Sequence, residues 1–281
     1  MKISYKNYQK CDRLLDLTKP NIMGILNFTP DSFSDSGRFF SLDKALFQVE
    51  KMLNDGADII DIGGESTRPN AEIISEQQEL ERVVPLVEAV RSRFDCLISV
   101  DTSKAEVMKE SAKVGMDIIN DIRALTLPNA LDTAAELGLP VCLMHMQGTP
   151  QTMQQNPDYD DVVDEVATFL NKRAFACLIS GIPQEHIILD VGFGFGKTVE
   201  HNYQLLKHLN IFAESGYPIL AGLSRKSMIG AVLDKPVEDR LIGSVAGALL
   251  CVQNGAKIIR VHDVKETADA LKIWNAMNEV K

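Results

Sequence analysis

The sequence has no apolar stretch long enough to span a bilayer, and its opening segment, MKISYKNYQK, contains no apolar signal core. Both absences lead to the expectation of a cytoplasmic protein. Paired cysteines are also missing: Cys11, Cys96, Cys142, Cys177 and Cys251 are far apart and form no CxxC. That pattern argues against a disulfide framework or a zinc site and for reduced thiols. Positive charge is in deficit, with 29 Lys and Arg against 39 Asp and Glu, a formal net charge of −10. Neither nucleic acid nor an anionic membrane is therefore expected as the main partner. An anionic small substrate remains compatible with a locally basic site. No low-complexity linker interrupts the 281 residues, which are read as a single domain.

What the chain does contain is one pattern, repeated. A short run rich in Ile, Val and Leu ends in a polar residue, and a helical stretch follows. The runs are 22–27, 58–63, 97–101, 117–121, 141–145, 187–190, 219–222 and 257–262. Near-continuous apolar runs of this length suit strands of a parallel sheet covered on both faces. Between them, 41–54 sets Leu42, Ala45, Leu46, Val49 and Leu53 on one stripe, with Gly56 as its stop. Ser75 and Gln78 form a capping box for the next helix, which Pro85 is expected to kink or divide. Ser103 and Glu106 repeat the capping signature before a segment that ends at Gly115. Further helices are expected at 129–137, 159–179, 201–214, 238–253 and 265–277. Eight strand–helix units predict an α/β protein, a (β/α)8 TIM barrel, over an open doubly wound sheet. Residues 1–20 are read as a cap over the far end of the barrel.

A barrel of this kind collects its chemistry at the C-terminal ends of its strands. Asn27, Asp61, Asp101, Asn120, Asp121, His145, Asp190, Arg260 and His262 stand at those ends. If Asp101, Asn120 and Asp190 point inward, they suit a heterocycle that carries N–H and amino donors. Ser224-Arg225-Lys226-Ser227 follows the seventh strand, and Arg260 and His262 end the eighth, the usual place for phosphate in a barrel. A buried Arg260 requires an anionic partner. The stretch IILDVGFGFGKT at 187–198 nearly matches two phosphate motifs and fits neither. A P-loop needs glycine at 191, where Val191 stands, and a dinucleotide fingerprint needs glycine at 197, where Lys197 stands. The long segments 28–40 and 63–74 read as lids over the mouth. His145 has no companion at zinc spacing and is read as packed or hydrogen-bonded, with Met144 and Met146 in the core or the pocket wall.

Taken together, IMGILNFTPDSFSDSG at 22–37, DIGGESTRP at 61–69, SVDTSK at 99–104, INDI at 119–122, LMHMQGTP at 143–150, DVGFGFGKT at 190–198, SRKSMIG at 224–230 and RVHD at 260–263 resemble the dihydropteroate synthase family. One departure is Val191, where the family usually has proline. The resemblance implies a barrel transferase of folate synthesis. It joins 4-aminobenzoate to 6-hydroxymethyl-7,8-dihydropterin diphosphate, releases diphosphate, uses Mg2+ and is a homodimer. By resemblance, Asp101, Asn120, Asp190 and Lys226 bind the pterin and Met144 lines its pocket. Asn27 contacts Mg2+ and, with Thr67, Arg68, Arg260 and His262, the diphosphate. Phe33, Pro69, Phe195 and Ser227 wall the aminobenzoate pocket, where sulfonamides compete. The catalytic group is Asp101, Asp35, Arg68 and Lys226. Two other readings exist, a pterin-dependent methyltransferase on the same barrel and a non-catalytic pterin-binding protein. The 224–227 motif and the long first loop disfavour the former, and the two lids disfavour the latter.

Overall fold

The computed structural model describes residues 2–6, 12–28, 38–66 and 74–280. A short antiparallel pair, β1 (Lys2–Lys6) and β2 (Asp12–Asp16), comes first. The barrel strands are β3 (Asn21–Asn27), β4 (Ile59–Gly63), β5 (Leu97–Asp101), β6 (Ile118–Asp121), β7 (Val141–Met144), β8 (Ile187–Asp190), β9 (Ile219–Ala221) and β10 (Ile258–Val261). Each pairs in parallel with the next, and β10 returns to pair with β3, closing the ring. This is the (β/α)8 barrel that the repeat pattern predicts.

Alternation along each strand divides the apolar residues into two cores. Ile60, Ile62, Ile98, Val100, Ile119, Leu143 and Leu189 face outward and pack under the helices. The opposite parity gives the inner floor, with one residue from every strand: Met23, Ile59, Leu97, Ile118, Cys142, Ile188, Leu220 and Ile258. Most of these are first or second in their strands, so the floor lies at the strands' N-terminal ends. Leu15 and Leu17 join the same cluster. The chain leaving β2 thus seals that end and leaves the C-terminal end for chemistry.

The helices are α1 (Arg38–Asn54), α2 (Glu76–Arg93), α3 (Ala105–Lys113), α4 (Ala130–Leu137), α5 (Val162–Ile179), α6 (Val199–Lys207), α7 (Leu209–Ala213), α8 (Ser227–Leu233), α9 (Leu241–Gln253) and α10 (Val264–Glu279). The Ser75–Gln78 capping box at α2 is present in both directions. Four expectations need correction. Of the two outcomes expected at Pro85, division does not occur: α2 runs unbroken, with Val83, Leu86, Val87 and Val90 fully buried and holding both halves against the barrel. Ser103 does not cap α3. Its hydroxyl donates to the buried Asp121 carboxylate and accepts from Arg123 Nη1 at 3.1 Å, and the N-cap position falls one residue later, on Lys104. The segment 201–214 breaks at His208 into α6 and α7. The helix expected at 159–179 starts only at Val162, where Asp161 Oδ1 accepts from the N–H of Val163 and Asp164 at 2.9 and 3.0 Å.

Candidate active site

Above the apolar floor, the next inward positions are polar. Counting by two from Ile59 reaches Asp61 and Gly63. From Leu97 the count reaches Ser99 and Asp101, and from Ile118 it reaches Asn120. From Ile188 it reaches Asp190, and from Ile258 it reaches Arg260. Asn27, Gly63, Asp101 and Asn120 are successive register partners across β3 to β6. A Cβ on Gly63 would lie 3.5 Å from Asn27 Oδ1 and 3.7 Å from Asp101 Cβ, so the glycine keeps this row open between the two side chains.

The cluster is tied together by Arg260. Its Nε donates to Asp61 Oδ2 at 2.6 Å and its Nη2 to Asp101 Oδ2 at 3.1 Å. Asn120 Nδ2 also donates to Asp61, at 3.3 Å to each oxygen. Asp61 is fully buried. It is the hub of the cluster, a role that its place at a strand end does not by itself reveal. The signal was available: Asp61 shares the parity of the floor residue Ile59 and so must point inward. Asp121 shows the converse. It has the outward parity and organises the following turn by accepting from the N–H of Arg123 and Leu125 at 2.8 and 2.7 Å.

Burial raises the pKa of Asp101 to about 7; Arg260 opposes the shift, and Asp61, Asp121 and Glu79 reinforce it. Burial lowers the pKa of Lys226 to about 8, with Asp190 acting against the shift and Arg260 with it. Asp190 is raised by burial, opposed chiefly by Lys226 and by the Gly192 N–H, which its Oδ1 accepts at 2.7 Å. A carboxyl and an amine that titrate near neutrality, side by side in one mouth, are typical of a functional site.

The loop after β8 forms one wall. Gly192, Gly194 and Gly196 all have left-handed φ, of 68°, 78° and 64°. A Cβ on Gly192 would sit 1.9 Å from His145 O, and one on Gly194 3.1 Å from the Lys226 chain, so the close approach as well as the turn requires glycine. Lys226 donates to Phe193 O and lies 4.6 Å from the centroid of the Phe195 ring. Phe195 packs with Ile122, Met144 and Met153, with Met146 beside them, as an apolar cluster separate from both cores. Ile122 and Met153 are wall residues that no strand pattern points to, because both sit on loops.

After β9 the SRKS turn divides its cations. Arg225, at φ 59°, turns away and pairs with both Asp263 oxygens, Nε to Oδ2 at 2.9 Å. The expectation that Arg225 and Lys226 converge on one anion site is therefore corrected, since only Lys226 reaches the mouth. Ser224 Oγ lies 3.1 Å from His262 Nδ1, which ties the ends of β9 and β10 together. Ser227 opens α8. His145 is packed, as read from the sequence, edge-on to Phe169 at 5.0 Å between ring centroids. Phe33, Asp35, Thr67, Arg68 and Pro69 lie outside the described residues. Among the described residues, no cluster of three or more His, Cys, Asp or Glu is arranged to hold a metal ion.

The mouth of this barrel thus sets two carboxylates, an amide and a lysine beside an apolar wall, the recognition set for a planar, donor-rich heterocycle. The family model described as pterin binding enzyme matches residues 23–262. The dihydropteroate synthase of Haemophilus influenzae is 71% identical over 94% of this chain and 96% of its own length. The crystal structure of the Yersinia pestis dihydropteroate synthase with a sulfonamide drug superposes with a TM-score of 0.93 at 52% identity, covering 100% of both chains. The Xanthomonas albilineans dihydropteroate synthase in complex with 7,8-dihydropteroate superposes with a TM-score of 0.88 at 44% identity, over 96% of this chain and 97% of that one. The chain belongs to the dihydropteroate synthase family of pterin-binding enzymes.

Proposed function

We propose that this chain condenses 6-hydroxymethyl-7,8-dihydropterin diphosphate with 4-aminobenzoate to give 7,8-dihydropteroate and diphosphate. The observation that carries the reading is the Arg260–Asp61–Asp101–Asn120 cluster facing Asp190 and Lys226 in one mouth. The bound product of the Xanthomonas relative supports it.

The chemistry follows from charge. Cleaving the C–O bond to diphosphate leaves a cation that the dihydropterin ring delocalises. Asp101, ionised above pH about 7, stabilises that positive charge. Arg260 spends two of its five N–H donors on Asp61 and Asp101, and the other three remain for the departing phosphates. We assign His262, and Thr67 and Arg68 from the second loop, to the same anion. Asn120, Asp190 and Lys226 orient the pterin. The arylamine is neutral and attacks the methylene carbon through its lone pair, so no strong base is required. The N–H proton it then sheds leaves to solvent or to Asp101. Asn27, whose Oδ1 lies beside Gly63 in the mouth, would hold Mg2+ through a hard oxygen. When bound, Mg2+ would offset diphosphate charge.

The test is direct: mix the protein with both substrates and Mg2+ and measure dihydropteroate and diphosphate. Equal amounts of both, dependent on 4-aminobenzoate, support the reading. Pterin binding without product would leave only a binding protein. Methyl transfer from methyltetrahydrofolate would support the methyltransferase alternative instead.

The titrating pair also sets a pH dependence. kcat/KM should rise as Asp101 ionises through pH about 7 and fall as Lys226 loses its proton above about 8. In Asp101→Asn the acidic limb should vanish while the basic limb stays. A wild-type profile flat from pH 6 to 9 would contradict both assignments.

We further propose that the protein is a homodimer, formed through α9 and α10. α9, LIGSVAGALLCVQ, has no charged side chain, yet Ile242 is 75% and Leu250 47% exposed, and on α10, which packs against α9, Ile273 is 74% exposed. Sedimentation should give twice the chain mass for the wild type and a monomer for Ile242→Asp. A monomeric wild type would refute this.

A further inference from the structure

Lys197 takes no part in the chemistry above, although it is only 3% exposed. Its Nζ lies 3.0 Å from His145 Nδ1, 3.0 Å from Gly192 O and 2.9 Å from Phe195 O. These three acceptors match the three N–H donors of an ammonium group, with His145 O a fourth neighbour at 3.4 Å; burial lowers the pKa of Lys197 to about 7, and the charge of Asp190 opposes that shift. His145 is suited to accept. Burial, reinforced by the charge of Lys197, lowers its pKa to about 3, so the ring is neutral and one nitrogen keeps its lone pair. The histidine is itself fixed, because its backbone N–H donates to Asp190 O at 3.0 Å and its ring packs edge-on to Phe169.

The clasp spans a segment that would otherwise be loose. Gly192, Gly194 and Gly196 leave the backbone there many accessible states. Holding the carbonyls of Gly192 and Phe195 on one ammonium selects a single one. That segment carries the Phe195 ring, over which Lys226 sits, and Phe193 O, which takes the hydrogen bond of Lys226.

We propose that Lys197 and His145 form a buried clasp that positions Phe195 and Lys226 and thereby sets the fit of the arylamine substrate. The proposal rests on the dihydropteroate synthase reading and makes Lys197 a positioning residue, since its donors are spent inside the loop. It bears unequally on the two substrates, since Lys226 alone links the clasped loop to the pterin. The pterin carboxylates and amide hang on β5, β6 and β8, whereas the arylamine wall hangs on the clasped loop.

The test is steady-state kinetics on Lys197→Met, which keeps the chain length and removes the donors, and on His145→Phe and His145→Gln. In Lys197→Met and His145→Phe, KM for 4-aminobenzoate and the inhibition constant of a sulfonamide should both rise about tenfold, the scale of one lost oriented contact. KM for the pterin diphosphate, which meets the clasped loop only through Lys226, should rise clearly less, by no more than about threefold on the same scale. His145→Gln, whose amide oxygen can accept from Lys197, should restore most of the loss. If Lys197→Met fails to fold, the Phe and Gln variants at 145 decide the matter. Parallel rises in both KM values, or a glutamine no better than phenylalanine, would overturn the proposal. A wild type that forms no dihydropteroate in the same assay would instead refute the underlying functional reading.

Discussion

Replacing Arg260 by leucine is expected to cost the fold about 3–5 kcal/mol, the scale of a buried ion pair broken from one side. Asp61 is the reason. It is fully buried, and it accepts from Arg260 Nε at 2.6 Å and from Asn120 Nδ2 at 3.3 Å. Without the guanidinium, the carboxylate is left buried without its cation. Neutralising the partner should recover much of the loss, so Asp61→Asn in the Arg260→Leu background should be more stable than Arg260→Leu alone. Urea unfolding of the four proteins of this cycle measures it. The same substitution should weaken the diphosphate substrate by a further ~1.5–3 kcal/mol, a lost charge-assisted bond. An Arg260→Leu protein of wild-type stability would show that the Arg260–Asp61 pair contributes nothing.

The second large effect concerns turnover. Asp101→Asn should lower the single-turnover rate by about 10²–10³, the usual cost of removing one group aimed at developing charge. The side chain keeps its size and can still meet Arg260 through its amide oxygen. Binding of the pterin diphosphate, measured by calorimetry, should fall far less. The separation follows from position: Asp101 is paired with Arg260 in the resting site, and its charge is called on fully only when the pterin becomes cationic. Equal losses in rate and affinity would count against the role given to Asp101.

Much of this architecture is legible in the sequence, because parallel strands covered on both faces must be apolar almost throughout. The runs at 97–101 and 187–190 coincide with β5 and β8, and the capping box at Ser75 marks the true start of α2. Less legible is which polar residue at a strand end faces inward. Asn120 and Asp121 are neighbours, yet only the first points into the barrel, and parity with Ile118 decides it. Arg225 and Lys226 cannot be told apart as cations in the sequence, since the left-handed φ at Arg225 sends one to Asp263 and the other to the mouth. Lys197 reads as the tail of a failed phosphate motif. Its burial depends on carbonyls that only the folded glycine turn brings together. The wall residues Ile122 and Met153 come from loops without periodicity.

The central claim is that acids, amide and lysine in this mouth hold a pterin while Arg260 faces its phosphates. A crystal soaked with the pterin diphosphate and Mg2+ tests it most directly. The account predicts the ring within hydrogen-bond reach of Asp101, Asn120, Asp190 and Lys226, with the diphosphate against Arg260. A ring bound outside the barrel mouth, or a diphosphate directed away from Arg260, would contradict it.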